Sequence, residues 1–274
     1  MNAEPTPEQA ELIEAEAYES MMRVAETAGI PGFRAVRSRS GLALVAPGLK
    51  KILVFNRVLA LGVSEPASED YIDELAALYA PHALPWAVEL SPHARPEPIP
   101  QWLRDRRIRR GAPSAVLVRS TRDIPEVKTD LEIRPWQPED NDAGAVLAAQ
   151  TFSVPEEVTA LLAALPHAPR WRQWLVLDAG KVVATGLLYL GEGLAWTGWA
   201  ATHPEYRGRG LHGAIVSARI QDAAQHGCSW VVSDTAIGTE AKPDPSYRNH
   251  LRKGFRVVHE RHSYLAVPGV VKAA

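Results

Sequence analysis

The sequence predicts an α+β (α/β) protein of two similar units, each a mixed, mostly antiparallel central sheet flanked by helices. Three observations carry that expectation. Segments with helical apolar spacing interleave with short apolar runs of strand length along one chain. Tight turns such as Ala179-Gly180-Lys181 and Gly191-Glu192-Gly193 join successive strand-like runs, which makes hairpins. The two halves also repeat one order: helix, strands, helix, strand, helix, strand. At 274 residues the chain accommodates two domains of ordinary size. They are placed at 1–122 and 128–274, with the polar, proline-bearing 121–129 as linker.

In the first half, Thr6 is suited to cap a helix, Pro7 to its first position and Gln9 to close a capping box. That helix runs to 28, where Gly29 and Pro31 end it, and it buries Leu12, Ile13, Ala17, Met21, Val24 and Ala25. Strand-like runs follow at 41–46 and 57–63. Ser68-Glu69-Asp70 starts a second helix, with Tyr71, Ile72, Leu75, Leu78 and Tyr79 at helical spacing. Residues 86–90 read as a strand, 99–110 as a helix stopped by Gly111, and 114–119 as a strand. Arg104, Arg106, Arg107, Arg109 and Arg110 spread around that helix, a solvated face rather than a nucleic-acid surface.

In the second half, 131–136 reads as a strand, 142–151 and 155–165 as helices, and 174–178 and 182–190 as a hairpin. The strand 194–202 leads into Arg207-Gly208-Arg209-Gly210-Leu211-His212-Gly213, and a helix runs from 211 to 226. A strand at 229–235, a short helix at 245–253 and a strand at 255–265 complete the chain.

Strand, glycine-rich turn and helix aim backbone N–H groups at an anion. Glycine lets phosphate approach the backbone and permits positive φ, and Arg207 and Arg209 add charge. The turn therefore reads as a pyrophosphate site. Gly208, Gly210 and Gly213 also match a dinucleotide fingerprint, with Asp234 downstream for a ribose. The long entry His203-Pro204-Glu205-Tyr206, the hairpins before it and the short chain after it argue against that fold. No Lys-Ser or Lys-Thr follows the glycines, so the nucleoside-triphosphate loop does not fit.

The stretch resembles the acyl-coenzyme-A loop of the GNAT N-acetyltransferase superfamily, Arg/Gln-x-x-Gly-x-Gly/Ala. Arg207 and Gly210 match, His212 stands where Gly or Ala is usual, and Gly213 follows. Ser246-Tyr247-Arg248-Asn249 and Gly254-Phe255 resemble that family's last helix and the strand after it, and the likeness spans roughly 130–265. The resemblance implies direct transfer of an acyl group, expected from acetyl-CoA, to the amine of a small molecule. It implies cofactor contacts from Ala200 and Thr202 through their backbone, from Arg207 to Gly213, and from Asn249. His250 stands where the family often has a proton-donating Tyr, and Tyr247 one turn earlier is its rival. Asp234, at a strand end, is the candidate base, with a water chain as the alternative. The competing expectations are a non-catalytic coenzyme-A-binding or sensor protein, and a nicotinamide-dinucleotide protein.

The first half follows the same order as a degenerate relative. Its matching junction, 63–70, carries Glu65, Glu69 and Asp70, which repel phosphate, so cofactor is expected only in the second half. Net charge −2 suggests no polyanion partner. Cys228 is the single cysteine, and the histidines lack metal spacing, so neither a disulfide nor a metal is expected. The acidic N-terminus and the lack of a membrane-length apolar run lead to a cytoplasmic expectation.

Overall fold

The structure is a computed structural model that describes residues 3–269. In chain order the first elements are α1 (Pro7–Thr27), β1 (Arg34–Ser38), β2 (Gly41–Val45), β3 (Arg57–Leu59), α2 (Glu69–Tyr79), β4 (Trp86–Leu90), α3 (Ile99–Asp105) and β5 (Arg109–Ser120). There follow β6 (Glu132–Pro135), α4 (Ala143–Phe152), α5 (Glu156–Ala164), β7 (Trp171–Asp178), β8 (Lys181–Leu190) and β9 (Leu194–Thr202). The last are α6 (Leu211–Gln225), β10 (Trp230–Ala236), α7 (Pro245–Arg252) and β11 (Arg256–Ala266).

Two compact units result. One takes Thr6–Val116 with residues 258–269, and the other takes Leu117–Val257 with residues 3–5. The division falls inside β5 and again inside β11. The sequence placed it in the polar segment 121–129. Each of these strands begins in one unit and ends in the other.

The first unit orders its strands β1, β2, β3, β4, then β11 from Val258, then the early part of β5. β1 with β2, β2 with β3 and β4 with β11 are antiparallel, while β3 and β4 pair in parallel through Arg57↔Ala87 and Val58↔Val88. The capping box forms as its residues dictate: Gln9 N–H donates to Thr6 Oγ1 at 3.2 Å and Thr6 N–H to Gln9 Oε1 at 2.9 Å. In the core Tyr79 stacks on Trp86, ring centroids 4.8 Å apart, and its hydroxyl donates to Leu44 O at 2.9 Å. Glu11 and Glu14 of α1 are buried and meet Arg261 and His259 of β11 and Arg57 of β3 at 2.6–3.0 Å.

The second unit orders its strands β6, β7, β8, β9, β10, then the end of β5. The first four are antiparallel neighbours, while β9 and β10 are parallel. Side chains alternate along β7, and the two faces carry different helices. On one face Gly144 lets α4 lie against Gln173 and Leu175, since a Cβ there would meet Gln173 Nε2 at 2.5 Å. On the other, Asp222 of α6 accepts from Trp174 Nε1 at 2.7 Å and Arg172 Nε at 3.3 Å.

Two expectations are corrected. The helix read as 99–110 stops at Asp105, Arg107 takes a left-handed φ of 61°, and Arg109 already opens β5, so the arginine run does not lie on one helix. β1 was not read at all, because Arg34-Ala35-Val36-Arg37-Ser38 is an exposed edge with little apolar content.

Candidate functional site

The parallel pair parts within its own length. The ladder runs from Trp230↔Leu194 to Ser233↔Thr197 and ends there, while β9 continues to Thr202 and β10 to Ala236. At the same place β9 slips against β8: Leu187 faces Gly198 but Thr185 faces Ala201, an extra residue on β9. Trp199 takes up the bulge with φ 52°, a conformation a bulky side chain adopts only when its surroundings impose it. Gly198 leaves room for the Trp196 ring, whose Cη2 sits 2.1 Å from where a Cβ would be. Trp196 Nε1 in turn donates to Asp234 Oδ1 at 3.1 Å. Below the bulge, Arg219 of α6 donates to Leu187 O at 2.8 Å and Gly198 O at 3.2 Å.

The chain leaves β9 through a turn at Pro204–Tyr206 and reaches α6 over two left-handed glycines, Gly208 (φ 81°) and Gly210 (φ 79°), the latter the N-cap. Nothing lies within 4 Å of a Cβ at either, so this is an open cradle at a helix N-terminus. Leu211 turns its side chain into the core with Val176 and Ile215, leaving its backbone to the loop. Arg207 Nε lies 3.4 Å from Thr202 O, and Arg209 pairs with Asp130 at 3.1 Å, an exposed pairing that holds it weakly. Gly213 gives passage to Lys253, whose Cε would lie 3.0 Å from a Cβ there, bringing a further cation to the first turn of α6. Thr202 Oγ1 is buried without a hydrogen-bond partner. The cradle, the cations and this orphaned hydroxyl fit a pyrophosphate on an extended polar arm.

α7 brings the remaining candidates alongside. Asn249 Nδ2 lies 3.4 Å from His212 Nδ1, so the residue that departs from the family loop touches the helix asparagine. His250 is buried against Phe255 and edge-on to His212. Its Nδ1 donates to Ser246 O at 2.8 Å, while Nε2 has no partner. Burial pushes the His250 pKa down to about 4 and that of His212 to about 3, so both rings are neutral at neutral pH. Tyr247 is half-buried on the same helix. On the opposite side of the bulge Phe152, 45% exposed at the end of α4, meets Trp199 edge-on with ring centroids 5.3 Å apart.

Residues 132–241 match the family model described as Acetyltransferase (GNAT) family. The match lies within the second half. Solved structures extend the likeness of fold to both halves. A GCN5-related N-acetyltransferase from Kribbella flavida is 17% identical, with 95% of each chain covered and a TM-score of 0.65. A GCN5-related N-acetyltransferase from Sphaerobacter thermophilus is 14% identical over 98% of this chain and 95% of that one, TM-score 0.60. A tandem GNAT protein from the clavulanic acid biosynthesis pathway is 15% identical over 96% and 94%, TM-score 0.62. At such identities the likeness is one of fold. No curated protein matches the chain.

The first GNAT-like unit has its own parallel pair, turn and helix in β3, residues 60–68 and α2, but that junction is filled from within. Arg95 N–H donates to Gly62 O and Ala67 N–H to Arg95 O, both at 2.8 Å. The Arg95 guanidinium donates to Val63 O at 3.0 Å and Ser64 O at 2.9 Å. Gly62, φ 68°, serves this closure, since a Cβ would sit 2.4 Å from Arg95 O. The open loop before α6 was legible from its glycines. Lys253 reaches the first turn of that helix from a distant position, Arg219 and Phe152 meet the bulge of β9 likewise, and Trp199, which the sequence places beside the loop, sits in that bulge, which left no mark in the apolar pattern.

Proposed function

We propose that the second half is a GNAT domain that transfers an acetyl group from acetyl-CoA directly to a primary amine of a small molecule. The observation that carries this reading is the open glycine cradle at the start of α6, beside parallel strands that part at a bulge. The loop backbone from Arg207 to Gly213, with the side chains of Arg207 and Arg209, holds the pyrophosphate. Asn249 and the backbone of Ala200 and Thr202 hold the arm. Bound there, the thioester supplies the activated acyl group, and the chain does the rest. Asp234 takes the proton of the incoming ammonium, which must be lost before nitrogen has a lone pair. Backbone N–H groups of β9 past the bulge meet the negative charge that develops on the carbonyl oxygen. Tyr247 donates to the departing sulfur. His250 suits that task less, because its N–H is committed to Ser246 O and its ring is neutral. Phe152 and Trp199 offer an apolar wall to the body of the amine.

The second reading is a domain that holds coenzyme A without transfer, and the committed, neutral His250 favours it. Thiol release from acetyl-CoA across an amine panel separates the two. Amine-dependent release supports transfer, and stabilisation by coenzyme A with no release from any amine supports holding. At ~100 times the dissociation constant, ligand adds about 2.7 kcal/mol of stability. Acetyl-CoA is expected to raise the melting temperature and NAD is not. A shift with NAD alone would overturn the assignment.

A further inference from the structure

Arg219 is buried at 1% exposure in the middle of α6. Its polar contacts are three backbone carbonyls: Ile215 O at 3.4 Å, Leu187 O at 2.8 Å and Gly198 O at 3.2 Å. Among the described residues no carboxylate forms an ion pair with it. The buried Arg57 and Arg261 of the first unit, by contrast, are each paired with a glutamate. Burial lowers the Arg219 pKa to about 9, which still leaves the guanidinium charged at neutral pH. A cation buried without a counter-ion is destabilising, and an apolar side chain of similar volume is the cheaper occupant. The fold nevertheless makes room for it. Gly186 lies under the guanidinium, where a Cβ would come 3.2 Å from Cζ.

We infer that Arg219 is a positioning residue for acyl transfer: it clamps both strands at the β9 bulge and sets an uncompensated positive charge beneath the reacting corner. The inference rests on the proposed transfer. Leu187 and Gly198 face each other at the last regular pair before the slip, so the planar guanidinium ties the strands where the register changes. Released, β9 can return to regular pairing, and a one-residue slip turns each following side chain to the other face. Trp199, Ala200 and Thr202 would then present different groups to the notch. The charge acts in the same place. It disfavours protonation of both His212 and His250, and in a low-dielectric setting it favours negative charge on carbonyl oxygen or sulfur.

The test compares wild type with Arg219→Met, which keeps the bulk and removes the charge, and with Arg219→Lys, which keeps the charge without the fork. Thermal melts report folding, calorimetry with coenzyme A reports binding, and NMR reports the amides of 199–202 and the imidazole titrations. Arg219→Met is expected to melt no lower than wild type. It should also bind coenzyme A at least tenfold more weakly, lose the ligand-induced amide shifts, and let both imidazoles titrate at higher pH. Arg219→Lys should restore the imidazole titrations and only part of the binding. Wild-type binding, amide shifts and titrations in Arg219→Met would overturn the inference alone. Failure of wild type to bind coenzyme A would overturn the proposed function, and this inference with it. Should Arg219→Met not fold, wild type decides. The Arg219 Nη1–H signals, which carry the bonds to Leu187 O and Gly198 O, must exchange slowly and shift on binding coenzyme A, and their absence or indifference to ligand contradicts the clamp.

Discussion

Gly210 shows how much one residue decides. It combines a φ of 79° with open space at its Cβ position, so a side chain there meets no protein atom but occupies the open loop proposed to hold phosphate. Gly210→Glu is expected to abolish coenzyme A binding and to cost the fold only the strain of a left-handed non-glycine, about 1 kcal/mol. Calorimetry checks the first and a melt the second; unchanged affinity would move the site elsewhere. The buried imidazoles give a pH dependence with a defined sign. In the unfolded chain a histidine titrates near 6.5, whereas burial lowers His250 to about 4. On acidification the unfolded chain takes up protons first, so stability present above pH ~6.5 is lost as the pH falls towards 4, by up to about 3 kcal/mol. His250→Leu should show a shallower fall in melting temperature between pH ~7 and ~4.5 than wild type, and equal slopes would contradict a neutral buried ring. The left-handed glycines were legible because their chemistry is local. Arg219 was not, because its position among Ile215, Val216, Ala218 and Ile220 gives no sign that carbonyls of β8 and β9 await it.

Elements were legible where caps and periodicity agree. α1 follows from Thr6, Pro7 and Gln9, and β8 from a long apolar run after a Gly-Lys turn. α3 was overextended because arginine tolerates a helix or an edge strand alike, and only tertiary pairing settles β5. The buried ion cluster between α1 and β11 is likewise beyond local reading, since Glu11 and His259 are far apart in the chain. It sets the strength with which β11 is held in the first unit. Glu11 accepts from both His259 and Arg261, and Arg261 holds its carboxyl below the usual range against the opposing effect of burial. Glu11→Leu removes the acceptor of His259 and leaves Arg261 with Glu14 alone, and a loss of about 3 kcal/mol is expected by denaturant unfolding. A loss under about 1 kcal/mol would mean that the cluster contributes little.

At the scale of the whole chain, the repeat was legible but its partition was not. Order and apolar spacing reveal two similar halves, yet nothing in 256–266 signals that the strand from Val258 belongs to the first unit. The degeneracy of that unit also has a fuller cause than its carboxylates. Arg95 and the backbone around it occupy the junction between β3 and α2, with hydrogen bonds to Gly62, Val63, Ser64 and Ala67. Two junctions of one kind therefore differ in whether the chain itself fills them, and one cofactor per chain is the expected consequence. The direct test is a calorimetric titration of the whole chain with coenzyme A. Saturation close to one equivalent, abolished by Gly210→Glu, is the predicted result. Saturation near two, with one site surviving Gly210→Glu and lost on substitution in the first unit, would contradict it.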